Sequence, residues 1–218
     1  NAHRRQRQMC IRDRSAAAGG NTTILPFAMQ IKGQSLRKCV EDYHKKAQGN
    51  MYIDTSFHLI ISDPTPQVLG QELPALSKDG YTSFKVFMTY DDLVLNDKEL
   101  IEVFDVAKQL KTLVMVHAEG YDSIKYLSDK FEKEGKTAPY YHAPTRPQIV
   151  EREATHRAIS HAQIVDIPLM IVHVSGEEAL NQIRWAKDKG IKVFSETCPQ
   201  YICLTEDCLL YTSPSPRD

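Results

Sequence analysis

"SFKVFMTY", Ser83 to Tyr90, decides the fold of this chain, because it has the composition of a buried strand and yet contains a lysine. Its valine, phenylalanines and methionine suit a strand that is covered on both faces, as in a parallel sheet. A free ammonium group at Lys85 would lose its hydration there and gain nothing. Lys85 therefore either points to solvent or has a chemical use.

Outward from this stretch, short β-branched or aromatic runs alternate with longer amphipathic segments. Six runs are predicted strands: Asn21 to Ala28, Tyr52 to Ile60, Ser83 to Tyr90, Thr112 to Glu119, Pro168 to Ser175 and Ile191 to Cys198. Strands of one kind joined by helical crossovers predict a parallel sheet. The sequence has no Gly-rich nucleotide-binding turn, so we favour a (β/α)8 barrel over a doubly wound sheet.

Local signals predict where two of the helices begin. Capping boxes are predicted for Asn96 with Glu99 and for Ser175 with Glu178, and Gly190 is predicted to end the second helix. The segment Gly120 to Pro147 is longer than an ordinary strand-to-helix loop and contains a helical stretch. It is predicted to form a lid or a wall of the active site.

Composition excludes several classes of function. The 218 residues are 42% hydrophobic and 25% charged, with a net charge of -1, which is an ordinary globular balance. The charges are interspersed, so neither nucleic acid nor a membrane surface is an expected partner. We find no apolar run of roughly 20 residues and no secretory leader pattern, and we expect a cytoplasmic protein. Cys39, Cys198 and Cys203 show no metal-site spacing and are predicted reduced thiols.

The two ends differ from the rest in composition and periodicity. "RRQRQMCIRDR", Arg4 to Arg14, and "CLLYTSPSPRD", Cys208 to Asp218, both resemble translated adaptors from sequencing libraries. We therefore divide the chain into non-native segments at 1–14 and 208–218 and a partial barrel domain at 15–207. The alternative for the first segment is a basic arm. On the first interpretation the domain is an internal piece of a longer gene and contains barrel strands 2 to 7, without the first and last.

Three predicted strands carry a group that could take part in metal binding: Lys85, His117 and His173. On parallel strands of a barrel, such groups converge at the carboxyl ends, where the chemistry of this fold is located. Imidazole suits zinc, whereas an ammonium group has no lone pair. A desolvated lysine has a lowered pKa, and its neutral amine can take up carbon dioxide to become a carbamate that bridges two metal ions. Lys85 would then be tolerated inside because it is no longer a cation.

Six motifs, "GGNTTILPFA", "SFKVFMTY", "VMVHAE", "YYHAPTRP", "IVHVS" and "ETCPQY", resemble the dihydropyrimidinase and D-hydantoinase branch of the cyclic amidohydrolases. The resemblance implies two zinc ions, bridged by carboxylated Lys85, with His117 and His173 as ligands of the second. It implies that Tyr90 binds the substrate carbonyl and stabilises the oxyanion. A His-x-His pair and an aspartate, the remaining ligands of the family, are expected outside this chain.

The expected function is zinc-dependent hydrolysis of dihydropyrimidines or hydantoins to N-carbamoyl amino acids by the complete protein, which the resemblance implies is a homotetramer. The chain by itself is predicted to be inactive. An allantoinase or dihydroorotase, and a non-catalytic scaffold of the same family, stay open as alternatives. Pro26 and Gly120 depart from the usual family pattern and leave substrate preference undecided.

Four further histidines and Glu196 are not assigned to the metal ions. Glu196 could orient a neighbouring group or be paired within the barrel mouth. His142 is a candidate pocket residue. The alternative, of equal weight, is a structural role in which His142 and Arg146 hold the long loop in place. His58 is predicted to pack or to support a ligand. His156 and His161 fall in a helical run and are predicted to pack or face solvent.

Overall fold

A computed structural model describes residues 11–205, and in this part of the chain every strand pairing is parallel. The strands are β1 (Thr23–Ile24), β2 (Phe27–Met29), β3 (Asp54–Thr55), β4 (His58–Ile60), β5 (Ser83–Phe87), β6 (Leu113–His117), β7 (Leu169–Ile171) and β8 (Val193–Ser195). The sheet of six strands has the order β2-β4-β5-β6-β7-β8, and β1 pairs only with β3. The sheet order follows the chain order, as in the wall of a barrel, whereas a doubly wound sheet reverses direction.

Helices connect the strands. They are α1 (residues 11–18 described), α2 (Leu36–Ala47), α3 (Leu73–Lys78), α4 (Asp97–Leu110), α5 (Tyr121–Lys133), α6 (Gln148–Val165), α7 (Glu177–Asp188) and α8 (Gln200–Cys203), with a π-helical turn at Val68–Glu72 and a 3-10 turn at Pro139–His142. The core lies between the sheet and these helices. Its largest fully buried side chains include Phe57, Phe84 and Phe104. The partial (β/α)8 architecture predicted from the sequence is confirmed, and the described strands do not close a barrel.

All six predicted strand regions contain strands, but the first two are divided. β1 and β2 are separated by Leu25 and Pro26. Proline has no amide hydrogen to give to a sheet ladder, so a continuous strand cannot run through it. The carbonyl of Pro26 still accepts from the amide of His58 at 3.0 Å. The chain therefore continues in the same direction from one short strand into the next.

One predicted capping box is confirmed and the other is wrong. Asn96 accepts from the amide of Glu99, and the Glu99 carboxylate accepts from the amide of Asn96, at the start of α4. The first residue before α7 is Gly176, and the Ser175 side chain donates to Glu151 of α6 instead of capping its own helix. The Glu151 carboxylate also accepts from the amide of Gly176, so it takes over the capping of α7 that the Ser175 hydroxyl was predicted to provide. Sequence spacing cannot show such a partner.

Part of the predicted non-native end is packed against the domain. Asp13 of α1 is fully buried, and its carboxylate accepts from the amides of Tyr52 and Ile53 at 2.7 and 3.2 Å. The predictions for residues 1–10 and 208–218 lie outside the described residues. The origin of both ends stays a prediction, and reading the source DNA across the codons for Arg4 to Arg14 and Cys208 to Asp218 checks it.

Among residues 11–205, no helix is both long enough and apolar enough to cross a bilayer.

Candidate metal centre

The carboxyl ends of β5, β6 and β7 bring the three predicted residues to one end of the sheet. Lys85 is aligned with Met115, and Phe87 with His117, in the parallel register of β5 and β6. Aligned residues point to the same face, and side chains two positions apart on a strand share it. Lys85 and His117 therefore point to one face, with Lys85 two residues deeper in its strand.

Lys85 is the buried cation of this face. Its side chain lies between two aromatic rings, with Nζ 5.9 Å from the ring centre of Phe27 and 5.0 Å from that of Phe87. The residue is 2% exposed, and its Nζ has no hydrogen-bond partner. Burial lowers the pKa of Lys85 to about 7, against a smaller opposing effect of the Glu196 carboxylate. Lys85 thus lies inside the fold and does not point to solvent, and with a pKa near 7 a substantial fraction of it is a neutral amine at neutral pH.

His117 and His173 present ring nitrogens to each other. Nδ1 of His117 lies 2.9 Å from Nε2 of His173, and the ring centres are 4.5 Å apart. Burial, and then the Coulombic effects of Lys85 and of His117, lower the pKa of His173 to about 4. His173 is therefore neutral at neutral pH, with a lone pair available to a metal ion.

Two residues at this end of the sheet have left-handed backbone although they are not glycine. Strand β7 ends at Ile171, and alternation would place His173 on the same face as Ile171, away from His117. Instead His173 has a φ of +42°, and Tyr90, after β5, has a φ of +75°. Left-handed backbone is costly for residues with a side chain; outside helix ends, it often accompanies functional sites. These two turns redirect His173 and Tyr90 toward the site.

Glu119, to which the sequence reasoning gave no role, is the closest polar neighbour of His117. Its Oε2 lies 2.6 Å from Nε2 of His117, and its Oε1 lies 3.7 Å from Nε of Arg146. The spacing of a histidine and a glutamate two residues apart at a strand end was the signal that could have found it. Arg146 in turn lies 3.2 Å from Nδ1 of His142.

A cavity of about 550 Å³ opens over these groups. It is lined by Phe87, Tyr90, His117, Ala118, Glu119, His142, Ala143, Arg146, Gln148, Glu151, Ile171, Val172, His173, Ser175 and Tyr201. The segment Gly120 to Pro147 contributes His142, Ala143 and Arg146 to this wall, as the sequence predicted for it. Burial, and then the Glu119 carboxylate, raise the pKa of Tyr90, so its phenol stays protonated and can donate a hydrogen bond.

Three further histidines, His58, His156 and His161, do not line this cavity. His58 bonds to Ser83 and packs against Phe27. On α6, His156 packs against Trp185, and His161 lies 3.2 Å from an Asp97 oxygen. These contacts are those of packing residues.

The donor set fits a metal ion only in part. Within residues 11–205, no group of three or more histidine, cysteine, aspartate or glutamate side chains is placed to hold a metal. Two imidazoles with facing nitrogens are present, and Nζ of the buried Lys85 has no hydrogen-bond partner. Conversion of that amine to a carbamate would supply the oxygen ligands that the two histidines lack.

Glu151 holds the loop that carries His173. Its carboxylate accepts from the amide and hydroxyl of Ser175 at 2.9 and 3.1 Å and from the amide of Gly176 at 2.7 Å. A methyl group on Gly176 would come within 2.9 Å of the same carboxylate. The carboxylate therefore satisfies the amino end of α7, where a negative charge is favourable.

We expect Glu151→Ala to lower the free energy of unfolding by about 1–2 kcal/mol, the usual cost of losing a helix cap. Urea unfolding followed by circular dichroism measures this. Glu151→Gln is the matched control, because its amide oxygen can still accept and should retain part of the stability. An unchanged Glu151→Ala midpoint would show that the cap contributes nothing.

The chain is similar in sequence and in structure to several known proteins. No protein-family model matches the chain. It is 46% identical over 196 residues to a D-hydantoinase of Rhizobium radiobacter, covering 89% of this chain and 43% of that protein. It is 46% identical over 197 residues to a D-hydantoinase of Geobacillus stearothermophilus, covering 89% and 42%. The crystal structure of a dihydropyrimidinase from Brevibacillus agri superimposes with a TM-score of 0.88 at 42% identity, covering 93% of this chain and 44% of that one.

The chain thus spans less than half the length of the curated relatives that it matches. Sequence identity and backbone superposition agree over about nine-tenths of its own length. The chain belongs to the D-hydantoinase and dihydropyrimidinase family, as a segment of a parallel α/β domain.

Proposed function

We propose that a protein containing this chain hydrolyses the cyclic amide bond of hydantoins or dihydropyrimidines to N-carbamoyl amino acids, with two zinc ions as cofactor. The observation that carries this is the buried amine of Lys85, which has no hydrogen-bond partner and lies at the sheet end where His117 and His173 meet. The named relatives act on substrates of this class. Their greater length leaves room for the further ligands that the described residues do not supply.

Lys85, as a carbamate, would bridge the two metal ions, and His117 and His173 would hold one of them. The neutral amine would form a bond to the carbon of carbon dioxide and release one proton to water, so that Lys85 becomes an anionic carbamate. When bound, the metal ions supply a Lewis acid for the ring carbonyl and make a water acidic enough to ionise near neutral pH. Removing the Lys85 cation also removes the charge that opposes cation binding at His173.

Tyr90 supplies the hydrogen bond to the reacting carbonyl in this proposal. Its ring lies 5.1 Å from that of His117, at the cavity wall, and its left-handed backbone fixes its direction. Because burial raises the pKa of Tyr90, the hydroxyl is a donor at the working pH. A donor aimed at the developing negative charge lowers the barrier more than it tightens substrate binding.

A chimaera provides the test, because the chain covers only part of a relative. Residues 15–207 would replace the homologous segment in the D-hydantoinase of Rhizobium radiobacter. Hydantoin, dihydrouracil, allantoin and dihydroorotate are then assayed, and zinc per chain is measured. We expect zinc binding and hydrolysis of hydantoin or dihydrouracil. Hydrolysis of dihydroorotate or allantoin alone would contradict the substrate class, and a folded chimaera without zinc would favour a non-catalytic scaffold.

In that chimaera, Tyr90→Phe is expected to lower kcat by roughly 10²-fold with little change in KM, as for loss of one oxyanion donor. Zinc content should not change. Tyr126→Phe is the matched control, because Tyr126 is 68% exposed and lies outside the cavity. An effect confined to KM would assign Tyr90 to substrate binding alone.

The isolated 218-residue chain is proposed to be inactive. The described residues supply one facing pair of imidazoles and one lysine, and the edge strands leave Phe27 and Phe194 39% and 56% exposed. Hydrolysis by the purified chain would refute this. The homotetramer and the cytoplasmic location stay predictions.

A further inference from the structure

The two ring nitrogens of His117 have different partners. Nδ1 faces Nε2 of His173 at 2.9 Å, and Nε2 lies 2.6 Å from a Glu119 oxygen. A neutral imidazole carries one proton, and an ionised carboxylate only accepts hydrogen bonds. In the neutral form of His117 the proton therefore belongs on Nε2, where it is donated to Glu119. The lone pair is then on Nδ1 and points toward His173.

We propose that Glu119 is a positioning residue: it fixes the tautomer and the ring orientation of His117, so that Nδ1 is the nitrogen presented to a cation. The proposal rests on the proposed function, since it assumes that His117 binds the metal. With the other tautomer, the Nε2 lone pair would face the carboxylate and the Nδ1 proton would occupy the metal-binding direction. Histidine ligands in metal sites are commonly oriented by such an acceptor.

Arg146 holds Glu119 in turn. Its Nε lies 3.7 Å from the oxygen of Glu119 that His117 does not use. The Glu119, Arg146 and His117 side chains are 18%, 22% and 11% exposed, so water competes little for these contacts. The guanidinium also donates to Thr145 at 3.2 Å and lies against His142. Successive contacts therefore link His142, Arg146 and Glu119 at the cavity wall to the imidazoles of His117 and His173.

The position of Glu119 relative to the strand explains why this residue reaches His117. β6 ends at His117, and Ala118 is 4% exposed, so the backbone is held as it leaves the sheet. Residues two apart on an extended chain share a face, which places the carboxylate beside the outer edge of the imidazole. A longer spacing would place it beyond reach of Nε2.

The first readout is the tautomer itself, in the metal-free 218-residue chain labelled with ¹⁵N in histidine. Two-bond ¹⁵N–¹H spectra distinguish Nε2–H from Nδ1–H, and the His117 signals are assigned by their loss in His117→Asn. We expect Nε2–H in the wild type and in Glu119→Gln, whose amide oxygen still accepts. Glu119→Ala should give a mixture of tautomers. An Nδ1–H tautomer in the wild type, or an unmixed Nε2–H tautomer in Glu119→Ala, overturns the proposal.

The second readout is zinc affinity, measured by competition with a chromophoric chelator. Glu119→Ala is expected to bind Zn²⁺ 10- to 100-fold more weakly, the usual cost of removing such a partner. Glu119→Gln should lose less, and Glu134→Ala, which removes an exposed carboxylate paired with Lys136, should lose nothing. Equal affinities in all variants overturn the proposal.

If Glu119→Ala does not fold, the proposal is tested by the His117 tautomer in the wild type and by the zinc affinity of Glu119→Gln. Neither readout uses a substrate, so the result is separable from the proposed hydrolysis. An Nε2–H tautomer in the wild type, a mixture of tautomers and weakened zinc binding in Glu119→Ala, and an inactive chimaera would together support the role of Glu119 and reject the reaction.

Discussion

Replacing Lys85 with methionine is expected to stabilise the metal-free chain by roughly 4 kcal/mol at pH 7, although the substitution removes the central residue of the site. The folded chain holds the pKa of Lys85 at about 7, whereas the reference value is 10.5. Each pH unit of that difference corresponds to about 1.4 kcal/mol. Methionine has a similar length, fits between Phe27 and Phe87, and needs no hydration.

The free energy of unfolding depends on pH because Lys85 holds its proton less tightly in the folded chain than in the unfolded chain. Below pH 7 Lys85 is protonated in both states, so folding bears the full cost of the buried cation. Above pH 7 the folded chain releases the proton while the unfolded chain keeps it up to its own pKa. The free energy of unfolding of the wild type should therefore rise by roughly 2 kcal/mol between about pH 7 and pH 9. For Lys85→Met this contribution should be absent.

Urea unfolding at several pH values measures both effects, in carbon dioxide-free buffer with a chelator present. The range stops at pH 9 because burial raises the pKa of Tyr90, which adds its own pH dependence in more alkaline solution. Lys98→Met is the matched control, because the Lys98 side chain is 83% exposed. Equal pH dependence in wild type and Lys85→Met would show that Lys85 is hydrated in the folded chain.

The same substitution is expected to abolish hydrolysis in the hydantoinase chimaera. Loss of the bridging carbamate removes metal stabilisation of the transition state, which is worth several kcal/mol. At 1.36 kcal/mol per tenfold change, this corresponds to a fall in kcat/KM of roughly 10³-fold or more. Zinc per chain should fall as well. The assay compares Lys85→Met with Lys98→Met, which should keep full activity.

Retained activity in Lys85→Met would reject the bridging role and leave His117 and His173 to act with other ligands. The combination of a more stable fold with a lost activity is the pattern of a site that carries strain for function. Increased stability alone would show a buried lysine without a chemical use. Lost activity with unchanged stability would show a hydrated lysine.

Some local details depended on partners that sequence spacing does not reveal. The capping box at Asn96 formed because both of its members are on the same helix. The one predicted at Ser175 did not form, since Glu151, from another helix, binds the Ser175 hydroxyl and the Gly176 amide. Pro26 divided a strand that its flanking residues favoured, because a missing amide hydrogen outweighs side-chain preference in a sheet ladder.

The sequence by itself determined the parallel α/β class, the positions of six strands and the placement of Lys85, His117 and His173 near strand ends. Those features depend on hydrophobic pattern and on alternation along one chain, which are local properties. Only the tertiary structure decided that His173 and Tyr90 turn toward the site through left-handed backbone, and that Glu119 and Arg146 join His117. Such contacts join residues from separate elements, and their geometry exists only after the sheet and helices have packed.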